Sequence, residues 1–385
     1  MSRRVYLDHN ASTPVHPDAL AAMLPYFSER FGNPSSIHGF GREARDAVEA
    51  ARDTIAGFLG VEPEEIVFTS GGTESDNLAI KGIAAAHPGG HIVTSVVEHH
   101  AVLRTCQALE KAGHPVTYVR VDGDGLVDPD DVRRALRPDT ILVSIQGANS
   151  EVGTVMPVEE IGRIAGERGI PFHVDGVQTF GKLPVTVREW GIALFSMSSH
   201  KIYGPKGVGA LHIRRGTRML SVQHGGDHER RRRAGTENVP AIVGFGAAVA
   251  LRARAMHEEA RRVAALRDRL WDGLRAAIPD LRLNGHPARR LPGTLNVSVR
   301  GIEAESLILA LDLKGIGVSA GSACTSGSVE PSYVLTAMGI PAEWSLGAIR
   351  CSLGSGTTVE DVDYVLEVLP AVVRRIRALS PAGAA

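Results

Sequence analysis

The stretch Ala193-Leu194-Phe195-Ser196-Met197-Ser198-Ser199-His200-Lys201-Ile202-Tyr203-Gly204-Pro205-Lys206-Gly207 decides how this chain is read. Its first five residues are nearly all apolar, as a strand buried on both faces of a sheet must be. They run straight into a glycine- and proline-bounded loop that presents one lysine among hydroxyl and imidazole groups. Working outward, short β-branched runs at 65–69, 91–95, 116–121, 140–145, 171–175 and 207–213 share the character of 193–197. Segments of helical period separate most of them. Ala44, Val48, Ala51, Ile55 and Phe58 fall on one helical stripe closed by Gly60, and further helices are expected near 74–86, 100–112, 128–137 and 158–168. Strands alternating with helices predict an α/β fold around a mostly parallel seven-stranded sheet. From about residue 240 a long helix begins, with Leu266, Leu270, Leu274 and Ile278 on one side. Strands near 294–299, 316–319 and 348–353 and helices near 303–313 and 359–378 then predict a smaller α+β domain.

Composition bounds the rest. A length of 385 residues, 43% hydrophobic and 22% charged, allows two folded domains with sizeable cores. Forty-two basic against 43 acidic residues leave a net charge of −1, which argues against a whole-molecule grip on nucleic acid or an anionic membrane. The longest apolar stretch, 241–251, is far too short to span a bilayer. Val5-Tyr6-Leu7 runs directly into Asp8, leaving no apolar region for a secretory signal. Three cysteines without a C-x-x-C pair make no disulfide framework and point to a reducing, cytoplasmic setting. Cys106 shares a helical stripe with Val102, Leu103 and Leu109, and Cys351 alternates within a strand, so both are expected in cores.

Three short constellations follow predicted strands. Ser70-Gly71-Gly72-Thr73-Glu74-Ser75 opens a helix, where backbone N–H groups, the helix N-terminus and the hydroxyls of Thr73 and Ser75 suit a phosphate. His173-Val174-Asp175-Gly176-Val177-Gln178 puts Asp175 at a sheet edge, where a carboxylate can keep a heterocyclic nitrogen protonated. Lys201 suits Schiff-base chemistry if its neighbours lower its basicity. Each motif alone has an ordinary alternative: a turn with an N-cap, a strand-end aspartate, a solvated loop lysine.

Their order, together with Tyr6-Leu7-Asp8, Ala11-Ser12-Thr13-Pro14, Thr73-Glu74-Ser75-Asp76-Asn77, Glu98-His99, Gly235-Thr236-Glu237-Asn238 and Gly321-Ser322-Ala323-Cys324, resembles the class V aminotransferase group of fold-type I enzymes that use pyridoxal 5′-phosphate. Within that group the match is to cysteine desulfurases of the NifS/IscS-like class, over nearly the whole chain. The resemblance implies a large cofactor-binding domain over 15–255 and a small domain from 1–14 and 256–385. It makes Lys201 the Schiff-base lysine, Asp175 the partner of the ring nitrogen and His99 a ring-stacking proton carrier. Gln178 would meet the ring hydroxyl, while Gly72, Thr73, Ser198 and His200 would hold the phosphate. Thr236 would reach the phosphate of a partner subunit, so a homodimer is implied. Arg350 would clamp the substrate carboxylate, with Asn149 and Ser150 nearby. Cys324, in a run of small polar residues suited to a mobile thiolate, would take sulfur from L-cysteine as a persulfide, releasing L-alanine. The persulfide would pass to an acceptor or scaffold protein, in iron–sulfur cluster assembly or another thiolation. A selenocysteine lyase, a class V aminotransferase and a sulfur-relay scaffold that acts mainly by docking remain alternatives. No structural metal is expected, only a transient iron–sulfur contact at Cys324.

Two positions depart from the family pattern. Asn149-Ser150-Glu151-Val152-Gly153 has serine where a second asparagine is common, and Asp227 stands where small residues are usual. The run Arg230-Arg231-Arg232-Arg233 reads as a solvated loop face or as a patch for phosphate or an acidic partner.

Overall fold

The computed structural model describes residues 3–320 and 331–379. Its strands are β1 (Val5–Tyr6), β2 (Ile66–Thr69), β3 (His91–Ser95), β4 (Val116–Val119), β5 (Thr140–Ser144), β6 (Phe172–Asp175), β7 (Leu194–Ser198), β8 (Gly209–Ile213), β9 (Leu281–Asn284), β10 (Thr294–Val299), β11 (Ile316–Gly317), β12 (Ser319–Ala320) and β13 (Ala348–Ser352). Seven of them form the expected sheet, in the order β2-β8-β7-β6-β5-β3-β4. Every residue of β2, β3, β6, β7 and β8 is buried, which is why these runs read as unbroken apolar sequence. Only β8 opposes its neighbours β2 and β7. Residues 199–208 are too few for the crossover of a dozen or so that a parallel return needs, so the chain turns straight back.

The C-terminal ends of β2, β3, β5, β6 and β7 therefore share one edge of the sheet, where open α/β sheets gather their ligands. Helices Gly72–Ala86, His100–Lys111 and Val158–Glu167 connect these strands. Helix Gly39–Leu59 buries the predicted stripe of Ala44, Val48, Ala51 and Ile55 and ends at left-handed Gly60.

Helix Val239–Ala277 is one continuous element. By length and composition it is apolar enough to cross a membrane, more than the run 241–251 suggests, but a core helix passes the same test. Ile242, Phe245, Ala248 and Val249 pack into the main core, and Val263, Leu266, Leu270 and Leu274 into a second one. That second core holds Val5 and Leu7 together with Leu295, Val297, Ile349, Val365 and Leu369. Here the antiparallel sheet β12-β13-β10-β9 forms. The strand expected over 316–319 divides in two: β11 pairs in parallel with β1, whereas β12 pairs with β13. The sequence reading missed β1 and β9, one only two residues long and the other half-buried.

Candidate active site

At the shared sheet edge lies a cavity of about 390 Å³. Its phosphate-type end is the turn from β2 into helix Gly72–Ala86. Gly71 is the N-cap, has φ of +149° and offers no side-chain cap, so the first N–H groups of the helix are left for a ligand. A Cβ on Gly72 would lie 2.6 Å from Val177 Cγ2; glycine is required for the two loops to meet. Thr73, Ser198 and His200 line this end. Ser75, expected to add a donor, is instead fully buried, bonding Ala210 O and Thr69 Oγ1. Burial first, then the charges of Lys201, Lys206 and Lys182, push His200 down to about 4, so it meets a ligand as neutral imidazole.

Asp175 closes β6 and accepts the Val177 N–H at 3.0 Å. Ligand atoms of Asp175, His99 and Asp76 lie within 4.8 Å of one another. Burial raises both carboxyls, and Asp76 is pushed up further by the charges of Asp175 and Glu98. Asp76 is thus the less acidic carboxyl of the pair. The negative charge rests on Asp175, which faces His99 and Lys201. His99 caps helix His100–Lys111, accepting the Ala101 N–H at Nδ1 over 3.1 Å. Its proton is therefore on Nε2, and burial lowers its basicity.

Lys201 ends a short turn, Ser199–Lys201. Its Nζ donates to Asn10 O at 2.6 Å and Ala11 O at 2.7 Å. The N-terminal segment buttresses this loop: Thr13 N and Oγ1 both donate to His200 O, and Thr13 Oγ1 accepts from Tyr203 N, which explains the Ala11-Ser12-Thr13-Pro14 signature. Gln178 also lines the cavity.

Arg350 of β13 enters from the second core, 3% exposed. Nη2 pairs with Asp8 Oδ1 at 2.7 Å and Nη1 donates to Ser150 O at 3.0 Å, whereas buried Nε has no partner. Part of the guanidinium fork remains for an anion. Asn149 requires a correction. Its amide is spent on backbone groups, donating to Val97 O after β3 and accepting from Glu151 N and Val152 N in its own loop, and Ser150 lines the cavity. Thr236 is exposed and outside this cavity. Cys324 lies outside the described residues. Cys106 and Cys351 are fully buried, their thiols pushed up to about 12 by burial.

Sequence reasoning missed Asp8, Asn10, Asp76, Gln146, Glu151 and Tyr333, which all contribute to the cavity or its frame. One signal was available: Asp76 shares a helical face with Ala79, Ile80 and Ile83, a carboxylate on an apolar stripe. The cavity suits pyridoxal phosphate. An uncapped helix N-terminus, a glycine approach, a buried carboxylate and a lysine lining the cavity are groups that fit that molecule, and a buried arginine with an orphaned Nε stands ready for a second anion.

The class V aminotransferase family model matches residues 5–365. Cysteine desulfurase IscS of Dictyoglomus turgidum is 52% identical over 383 residues, covering 99% of this chain and 97% of the relative. That of Methanosarcina thermophila is 53% identical over 382 residues, covering 99% and 94%. A solved NifS-like protein superposes with a TM-score of 0.92 at 39% identity, covering 97% of this chain and all of the other. SspA in complex with cysteine superposes with a TM-score of 0.82 at 38% identity, covering 91% and 99%. With the same fold, the same cavity chemistry and this likeness over almost its full length, the chain belongs to the class V aminotransferase family, among its pyridoxal-phosphate-dependent cysteine desulfurases.

Proposed function

We propose that this chain converts L-cysteine to L-alanine and hands the sulfur, as a persulfide on Cys324, to an acceptor protein. The observation that carries the reading is the convergence of Lys201, Asp175, His99 and Arg350 on one cavity. Bound pyridoxal phosphate links covalently to amines and draws electrons from the substrate α-carbon into its ring.

The chain's own residues do the rest. The helix N-terminus at Gly72, Thr73, Ser198 and neutral His200 hold the phosphate, while Asp175 keeps a ring nitrogen protonated. Arg350 and Ser150 fix the substrate carboxylate. Lys201 Nζ, as neutral amine, takes the α-proton; His99 Nε2 carries protons on the opposite side. The Cys324 thiolate attacks the substrate sulfur, the substrate C–S bond breaks, and protonation of the β-carbon yields alanine.

The reading includes a homodimer in which Thr236 serves the partner's phosphate. Leu20, Leu24, Phe27, Phe31, Ile37 and Phe40 are all large and exposed, and the rings of Phe31 and Phe40 stack at 5.9 Å, which suits an interface. It also includes a cytoplasmic location and the division into units of 15–255 and of 1–14 with 256–385. Cys324→Ser should keep the visible band of the loaded protein and lose alanine and sulfide production. Lys201→Ala should leave nothing for borohydride to fix. Normal turnover in Cys324→Ser overturns the nucleophile assignment.

A further inference from the structure

Lys182 takes part in no step described above, yet it joins the site's hydrogen bonds from behind. Its Nζ donates to Gln178 Oε1 at 2.7 Å, and Gln178 Nε2 donates to Asn10 O at 3.1 Å. That carbonyl also accepts from Lys201 Nζ. A protonated Lys182 only donates and the Asn10 carbonyl only accepts, so together they fix which end of the Gln178 amide is oxygen and hold the N–H end toward Asn10 and the cavity. A second pocket, of about 50 Å³, touches both Lys182 and Lys201. Around Lys182 stand the cations Lys201, Arg350 and Arg252, the carboxylate Glu259, and His9 and His200. Withdrawal from water, then Lys201, Arg350 and Arg252, hold the Lys182 amine down to about 7 against the pull of Glu259. The positive charge of Lys201 is one of the forces that make a second ammonium at Lys182 unfavourable.

We propose that Lys182 is a positioning residue that locks the Gln178 amide with its N–H toward the ring oxygen of the cofactor and lowers the basicity of Lys201 by competing with it for one proton. The proposal rests on the roles given above to Lys201 and Gln178. Both effects act in one direction. Losing the N–H donor leaves more negative charge on the ring oxygen, and losing the competing cation lets the Lys201 nitrogen keep its proton to higher pH.

The test is a pH titration of the visible absorption of the cofactor-loaded protein. Lys182→Met should move the midpoint up by about one pH unit. Lys182→Gln, which can still donate to Gln178 but carries no charge, should move it up by less. Lys182→Arg should stay near wild type. A Lys182→Met midpoint at the wild-type value overturns the inference, and if that variant does not fold, an unshifted Lys182→Gln does so. A wild-type protein that gains no visible band with pyridoxal phosphate overturns instead the reading of Lys201 on which the proposal stands.

Discussion

Glu229 is the buried anchor of the arginine loop, and removing it tests how that loop is held. Arg52 and Glu229 form a two-pronged ion pair, Nη1 to Oε2 at 2.9 Å and Nη2 to Oε1 at 2.8 Å, with both side chains at most 3% exposed. Glu229 Oε2 also accepts the Phe68 N–H at 2.8 Å, and Arg52 donates to Ile66 O. The pair thus fastens the loop to β2, the strand that leads into the phosphate end of the cavity. The bonds are worth enough to keep Glu229, Arg230 and Arg231 at positive φ, a conformation that costs about 1 kcal/mol or more for each non-glycine residue. Glu229→Ala leaves the Arg52 guanidinium in the interior with Glu49 as its remaining carboxylate. Breaking one side of a buried pair costs about 3–5 kcal/mol, and the retained Glu49 contact places this case near 3–4. At about 2.1 cal/mol/K per residue, unfolding of a chain this long has an entropy near 0.8 kcal/mol/K, so Tm should fall by about 4–5 °C. Differential scanning calorimetry of the loaded protein reads this directly. The paired replacement Arg52→Met with Glu229→Leu should recover only part of the loss, because the Phe68 N–H and Ile66 O then lack their partners. A single-variant fall of less than about 1 °C would refute the reasoning.

Burial holds the Glu151 carboxyl up to about 7 from 4.5, so between those pH values the folded chain keeps a proton that the unfolded chain has released. The contribution of this group is therefore most favourable below pH 4.5 and falls as pH rises to 7, by at most about 3 kcal/mol. In Glu151→Gln the Tm difference between pH 5 and pH 8 should shrink by about 3 °C relative to wild type, and an unchanged difference counts against it. Arg350→Lys loses the fork and its Asp8 pairing; kcat/KM for cysteine should drop about 10- to 100-fold, mostly through KM, with the visible band retained. Gly72→Ala puts a Cβ against Val177, an overpacking cost of about 1–3 kcal/mol. Equilibrium dialysis should show pyridoxal phosphate bound about 5- to 150-fold more weakly, whereas affinity within twofold of wild type would mean that the loop relaxes freely.

The parallel sheet was legible because its strands are buried on both faces and so carry no polar alternation to confuse the reading. Asp175 was legible because it ends such a strand, and Lys201 because it follows one within three residues. The local bonding of Asn149 was not legible: its family-like position says nothing about which loop N–H groups its amide must satisfy, and here Glu151 N and Val152 N claim it. Ser75 failed similarly, since an unfilled Thr69 and Ala210 pair lay behind it. Asp8 was recognised only as part of a string, and Asn10 fell between two strings. Their roles depend on Arg350 and Lys201, far away along the chain, and no local pattern encodes such distances. Of the arginine run, Arg233 spends its charge on Glu74 at 2.8 Å and Arg231 on Asp227 at 3.2 Å. Asp227 thereby acquires a role that its composition alone did not suggest.

The segment from β1 to Thr13 also sets the timetable of biosynthesis. Asp8 is translated 342 positions before the arginine it pairs with, and β1 long before β11. On the ribosome Asp8 and β1 therefore lack these partners until almost the entire nascent polypeptide has emerged. The later part of the segment keeps a shorter schedule: Asn10 meets Gln178, and Thr13 meets His200 and Tyr203, partners that emerge when only about half of the chain has been made.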